Sequence, residues 1–167
     1  FKNFTTKNLM EICKKETNRD LTEFFDEWLT TNKKCDYEVT NISGNKIFLE
    51  NRGDIVMPVE AEVEFIDGKK SQILWDGANK KKELNVRETS AIKSVTIDPD
   101  KKILDIDRTN NHWPRKVSLK VVPLYHGLYD IPLFLPEDSY NLFMGPELAG
   151  GGMGLKASFQ KPFDYNF

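Results

Sequence analysis

The sequence predicts a mainly β protein: a sandwich of about seven short strands, preceded by two short α-helices and followed by an extended Gly/Pro/aromatic-rich tail with at least one strand of its own. Three observations lead there. Residues 1–34 carry apolar side chains at helical spacing. From Asp36 to about Asp107 the apolar period changes to two, broken by turn residues. Residues 113–167 hold 6 of the 8 prolines and 6 of the 10 glycines, but only 10 of the 50 charged residues. No helix-length segment interrupts the period-two region, which excludes a parallel βαβ sheet and leaves an immunoglobulin-like sandwich. The chain therefore divides into a helical piece at 1–34, a β-sandwich domain at 35–111 and an extended C-terminal segment at 112–167.

In the first piece, Leu9, Ile12 and Cys13 fall on one helical face, and Leu21, Phe24, Phe25, Trp28 and Leu29 form the apolar side of a second helix. Asp20 stands at the N-cap of that helix with Glu23 three residues on, a capping-box-like start, since carboxylates accept the free N–H groups of a first turn. The expected strands are 36–42, 46–51, 56–66, 70–75, 83–88, 92–98 and 102–105. Among them, Val59, Ala61, Val63 and Phe65 alternate with Glu60, Glu62 and Glu64, one face for a core and one for water. Asp67-Gly68 then turns the chain into Ser71, Ile73 and Trp75, the strongest hairpin signal present. In the tail, Met153, Leu155, Ala157 and Phe159 alternate with Gly154, Lys156, Ser158 and Gln160, which predicts one more strand.

Composition excludes several functions. With 24 basic against 26 acidic residues the formal net charge is −2, so the chain lacks the basic excess of a nucleic-acid surface. Two cysteines, Cys13 and Cys35, are too few for a disulfide-rich scaffold or a four-thiolate zinc site, and their pairing is left open. The opening Phe1-Lys2-Asn3-Phe4 has neither an initiator Met nor a signal pattern and reads as the interior of a longer chain.

Catalytic chemistry has little to build on. His112 and His126 do not form the H-E-x-x-H pair that places two imidazoles on one metal. Asp98, Asp100, Asp105 and Asp107 gather around a turn, but off the spacing of a calcium loop and with Lys101 and Lys102 among them. The glycines between Gly145 and Gly154 precede a strand-like segment and not a helix N-terminus, so they form no phosphate cradle. Arg52-Gly53-Asp54 sits in turn chemistry between strands, where a three-residue adhesion motif arises readily by chance. No residue is assigned a catalytic, cofactor-binding or metal-binding role; the candidate site is a domain-contact surface made by Phe24, Phe25, Trp28 and Leu29.

That surface lies in the most specific run of the chain. Asp20-Leu21-Thr22-Glu23-Phe24-Phe25-Asp26-Glu27-Trp28 resembles the D-L-x-x-F-F-x-x-W motif near the end of the catalytic domain in aminopeptidase N type zinc metallopeptidases of the gluzincin class. The likeness continues in order through Tyr37-Glu38-Val39, Val56-Met57-Pro58-Val59, Phe65, Trp75, Val95-Thr96-Ile97-Asp98-Pro99 and Asp105 to Asn110-Asn111, covering residues 1–111. The resemblance implies that 1–34 is the end of a peptidase domain and that the rest is the β-sandwich that follows it. The zinc helix H-E-x-x-H, the third glutamate ligand and the G-x-M-E-N loop of that family are absent here. The family's Gly-x-Pro before the first strand is replaced by Lys34-Cys35-Asp36. The alternating end of the tail is similar to the first strand of an envelope β-barrel.

The expectation is a non-catalytic, structural or spacer segment of a zinc aminopeptidase, with zinc in the upstream part of the parent and no cofactor in this chain. Its partners are then the upstream peptidase domain and, through the helix pair, a second copy; nucleic acid is excluded, and membrane contact belongs to sequence beyond the C-terminus. For the parent the expectation is the cell envelope or the exterior, with the cytoplasm left open. The alternative is an independent β-sandwich module that binds carbohydrate or a cell-surface protein, which calls for exposed aromatic side chains on a sheet face or loop end.

Overall fold

The structure, a computed structural model, describes residues 4–121, 136–149 and 152–162. It is mainly β, with two helices and three largely antiparallel sheets, and it forms two compact units, Phe1–Lys34 and Cys35–Phe167.

The first unit contains α1 (Thr6–Thr17) and α2 (Thr22–Thr30). Thr5 caps α1 reciprocally with Asn8: the Thr5 hydroxyl accepts the Asn8 N–H and Asn8 Oδ1 accepts the Thr5 N–H at 2.9 Å. The helix stops at Asn18, whose φ of 53° is the left-handed conformation that asparagine tolerates. The expected cap at Asp20 is displaced by one residue. The Phe25 N–H bonds the Leu21 carbonyl, so Leu21 is the N-cap and has no side-chain cap bond. Asp20 instead accepts the Thr22 N–H at 3.0 Å and hydroxyl at 2.6 Å. Those bonds, with the stronger one from Lys14, hold its carboxyl well below the usual carboxylate range.

In the second unit, β1 (Tyr37–Ser43), β2 (Lys46–Asn51) and β5 (Lys81–Asn85) make a sheet of order β1-β2-β5. Gly44, at φ 59°, turns β1 into β2, and a bulge interrupts their pairing between Val39 and Asn41. A second sheet, order β4-β3-β6-β7, is built from β3 (Val59–Phe65), β4 (Lys70–Trp75), β6 (Ile92–Ile97) and the two-residue β7 (His112–Trp113). A third, order β10-β9-β8, contains β8 (Val117–Val121), β9 (Tyr140–Ala149) and β10 (Gly152–Gln160), with β8 parallel to β9.

β3 follows its sequence pattern residue by residue. Val59, Ala61, Val63 and Phe65 are buried, while the glutamates between them sit half-exposed. The Asp67-Gly68 turn fixes the register that sets Val59 opposite Trp75 and Ala61 opposite Ile73. On the outer face Lys102, Lys70 and Lys93 pair with Glu60, Glu62 and Glu64, a ladder of exposed ion pairs that water and salt screen.

The expected strand at 102–105 is absent. Asp98 Oδ1 accepts the Lys102 N–H at 2.8 Å and Oδ2 accepts the Ile103 N–H at 3.1 Å, so a side chain takes the donors that a ladder would need. Ile103 is buried from within a loop, and β7 pairs with β6 through Val95–Trp113 and Thr96–His112.

Tyr37 ties two of the sheets together. Its ring is fully buried and meets Trp75 edge to face, with centroids 5.3 Å apart. Its hydroxyl donates to the Met57 carbonyl at 2.9 Å and accepts the Met57 N–H at 2.8 Å. Gly77 closes over this contact with a φ of 73°, and a Cβ there would stand 2.5 Å from both the Met57 carbonyl oxygen and the Tyr37 hydroxyl.

Trp75→Ala is expected to lower stability by ~3–5 kcal/mol, the range for removing a large buried aromatic, read from the shift in urea midpoint. Gly77→Ala combines a clash with a left-handed φ and should cost more than the ~1 kcal/mol of conformational strain alone. An unchanged midpoint in either variant would contradict this packing.

Candidate functional site

The predicted contact residues all lie on α2. Phe24 meets Phe25 edge to face at 5.5 Å and Trp28 at 6.1 Å, so the three rings form one cluster along the helix. A spacing of four residues puts Phe24 and Trp28 on the same side of the helix. Phe25 and Trp28 are half-buried, whereas Phe24 and Leu29 are 42% and 60% exposed. Neither helix has a buried residue, and Leu9 and Ile12 of α1 are exposed as well. The Trp28 indole N–H is out of water and has no hydrogen-bond acceptor among the described residues. Near the turn between the helices, Lys7, Met10, Glu11, Lys14, Asp20, Leu21 and Thr22 line an open groove of about 260 Å³. That is smaller than the ~300–1,000 Å³ of ordinary small-molecule pockets and rimmed by an ion pair.

A second gathering of functional groups joins Asp36 to the loop at 98–111. Asp105 accepts the Tyr37 N–H at 2.9 Å, the Asp107 N–H at 2.8 Å and the Asn111 amide at 3.2 Å. Asp98 takes Arg108 at 3.2 Å besides its two backbone donors. Asp107 holds the Thr109 N–H and hydroxyl and pairs with Lys161 at 2.6 Å. These carboxylates fold the loop onto β1. Among the described residues no group of three or more His, Cys, Asp or Glu is arranged to hold a metal ion. Burial, with help from Asp105, Asp36 and Asp98, pushes the Cys35 thiol up to about 12, so it is chemically inert at neutral pH. Cys13 and Cys35 are both free thiols.

Other motifs are occupied by structure. Arg52 pairs with Glu38 at 2.6 Å, and Gly53 is buried with its N–H on the Asp36 carbonyl, so Arg52-Gly53-Asp54 is not presented as a flexible tip. His112 shares a 2.7 Å hydrogen bond with Thr96, and its pKa is lowered by burial and by nearby Lys116. His126, Leu133-Phe134-Leu135 and Gly150-Gly151 lie outside the described residues.

The third sheet carries a surface that sequence reasoning did not assign. Residues paired across a sheet share a face. Register thus sets Val117, Leu119 and Val121 of β8 on the same side as Tyr140, Leu142, Met144 and Pro146 of β9 and as Met153, Leu155, Ala157 and Phe159 of β10. That side faces outward: Met153 is 84% exposed, Leu155 88% and Val121 77%. The opposite side, with Asn141 and Phe143 fully buried and Lys156, Ser158 and Gln160 half-buried, faces the protein. Alternation in the sequence marked the two faces of β10. It carried no information on which one meets water. Keeping large apolar side chains in water forgoes ~1.5–3 kcal/mol each, so this face is not explained by the stability of the chain.

No protein-family model matches the chain, and no curated protein matches it.

Burial pushes the Asp105 carboxyl up to about 6, with Asp36 adding to the effect and the three donors opposing it. The folded chain therefore holds this proton more tightly than the unfolded one. Its contribution to stability is complete below about pH 4 and is lost as pH rises through about 6. Asp105→Asn removes that dependence. Wild type should exceed the variant in stability by more at about pH 4 than at about pH 7, the change being up to about 3 kcal/mol by urea unfolding. A difference independent of pH would mean that Asp105 titrates as an ordinary carboxylate.

Proposed function

We propose that the chain is a non-catalytic accessory segment, structural and spacing in role, of a zinc aminopeptidase that removes N-terminal residues from peptides. The observation that carries this reading is the α2 face: Phe24 and Leu29 are 42% and 60% exposed beside the half-buried Phe25 and Trp28, in a helix pair without one buried residue. An amphipathic helix gains most of its stability from packing its apolar face, so this face fits a larger body. In this reading residues 1–34 are the end of the peptidase domain. The sheets β1-β2-β5 and β4-β3-β6-β7, joined by Tyr37 and Trp75, form an immunoglobulin-like sandwich that buttresses it. Zinc and its ligands belong to the upstream part of the parent. The binding-module alternative calls for exposed aromatics on the first two sheets, where Tyr37, Phe65 and Trp75 are buried and Phe48 is half-buried.

Phe24→Ser with Leu29→Ser changes the two exposed side chains of the face and leaves the half-buried Phe25 and Trp28 in place. The wild type should associate with rising concentration in sedimentation, and the double variant should stay monomeric with unchanged helical circular dichroism. Equal behaviour of the two would remove the docking face and the reading with it. The chain should also retain no stoichiometric zinc after dialysis and release no chromophore from aminoacyl p-nitroanilides; one tightly held zinc per chain, or turnover, would contradict an accessory role.

A further inference from the structure

The outward face of the third sheet is unlike any other surface among the described residues. The outward face is apolar on all three strands, while the inner face is polar or small apart from the buried Phe143, so the outward apolar face is a property of the sheet and not of one strand. Apart from the Tyr140 hydroxyl, the face presents no side chain able to hydrogen-bond and no charge. A protein partner of ordinary chemistry would leave a polar rim and roughly one hydrogen bond per 100–200 Å².

Dimensions narrow the occupant further. β9 has 10 residues and β10 has 9, the length of strands that cross a bilayer at a tilt, ~9–11 residues. Six residue steps lead from Met153 near the hairpin end to Phe159 near the base, ~20 Å of extended chain against an apolar band of ~25 Å in membrane barrels. At the base Tyr140 and Phe159 stack at 5.3 Å, and immediately beyond them the Lys116–Asp138 pair at 2.7 Å and the Lys161–Asp107 pair at 2.6 Å begin the charged surface. Apolar band, aromatic pair, then charge is the succession from hydrocarbon through headgroups to water.

We infer that the outward face of β9–β10 contacts the hydrocarbon of a lipid bilayer, with the hairpin end deepest and Tyr140 and Phe159 at headgroup level. A sheet keeps one face in hydrocarbon when its backbone groups pair sideways and its polar face turns inward, the construction of a barrel wall. β9–β10 is one antiparallel pair of that kind. This inference is independent of the role proposed for the helix face.

The test uses the whole chain with Cys13→Ser, refolded by dilution into uncharged phosphatidylcholine vesicles, with an environment-sensitive dye on Leu155→Cys or on Lys156→Cys. Cys35 is buried and stays unlabelled. The chain should float with the vesicles at low and high salt alike. The dye at 155 should shift to the blue and be quenched by brominated acyl chains, and the dye at 156 should not. Leu119→Asp with Leu155→Asp should abolish flotation while buried Trp75 keeps its native fluorescence, because both substituted side chains are exposed in the structure. A chain that stays out of the lipid fraction, or floats only with anionic lipid at low salt, overturns the proposal. So does a dye at 155 that is already blue-shifted without lipid. Sedimentation would then assign the cover to a second copy if the particle is a dimer, and to residues 122–135 if it is a monomer.

Discussion

The first two sheets of the second unit converge on Tyr37. Its ring fills the space against Trp75, its hydroxyl bonds both backbone groups of Met57, and its own N–H is taken by Asp105. One residue thereby links the start of β1 to the chain before β3, to the end of β4 and to the loop after β6. A buried tyrosine is stable only when its hydroxyl is satisfied, and here both donor and acceptor roles are filled by the backbone of a single residue, Met57. The approach leaves no room for a side chain on the following turn, which is why Gly77 stands there. Asn51 reinforces the same corner, its amide donating to the Ile55 carbonyl at 3.0 Å.

Much of this was legible in the sequence, for a definite reason. Where one face of a strand is charged and the other branched or aromatic, as in Val59–Phe65, only one register buries the apolar set. Asp67-Gly68 then determined the partner strand as well. The misreadings share another cause. At Asp20 and again at Asp98 a carboxylate captures nearby backbone N–H groups, shifting a helix start by one residue and cancelling a strand at 102–105. Periodicity registers side chains that seek a core; it is blind to side chains that compete for the backbone. The third sheet shows a different limit. Alternation is symmetric, so the run Met153 to Phe159 identifies a strand and its two faces without stating which is turned to the protein. Context decides that, here the burial of Asn141 and Phe143 on the polar side.

The apolar face of α2 was visible for yet another reason: helical spacing gives Phe24, Phe25, Trp28 and Leu29 more apolar surface than one short neighbouring helix covers. The polar cluster around Asp105 had no such marker. Its members, from Asp36 to Asn111, are ordinary turn residues in sequence, and only the folded loop shows that they act together on the β1 backbone.

The tip of the β3–β4 hairpin offers a practical freedom. Gly68 lies in open space, the Phe65 N–H already closes the hairpin on the Lys69 carbonyl, and every pairing that sets the register lies on the strand side of that bond. Loop-closure entropy grows slowly with length, ~0.6 kcal/mol for each doubling. This tip is therefore where evolution, or an engineer splicing in an epitope or a fluorophore tag, can lengthen the chain with the least disturbance to the fold beneath it.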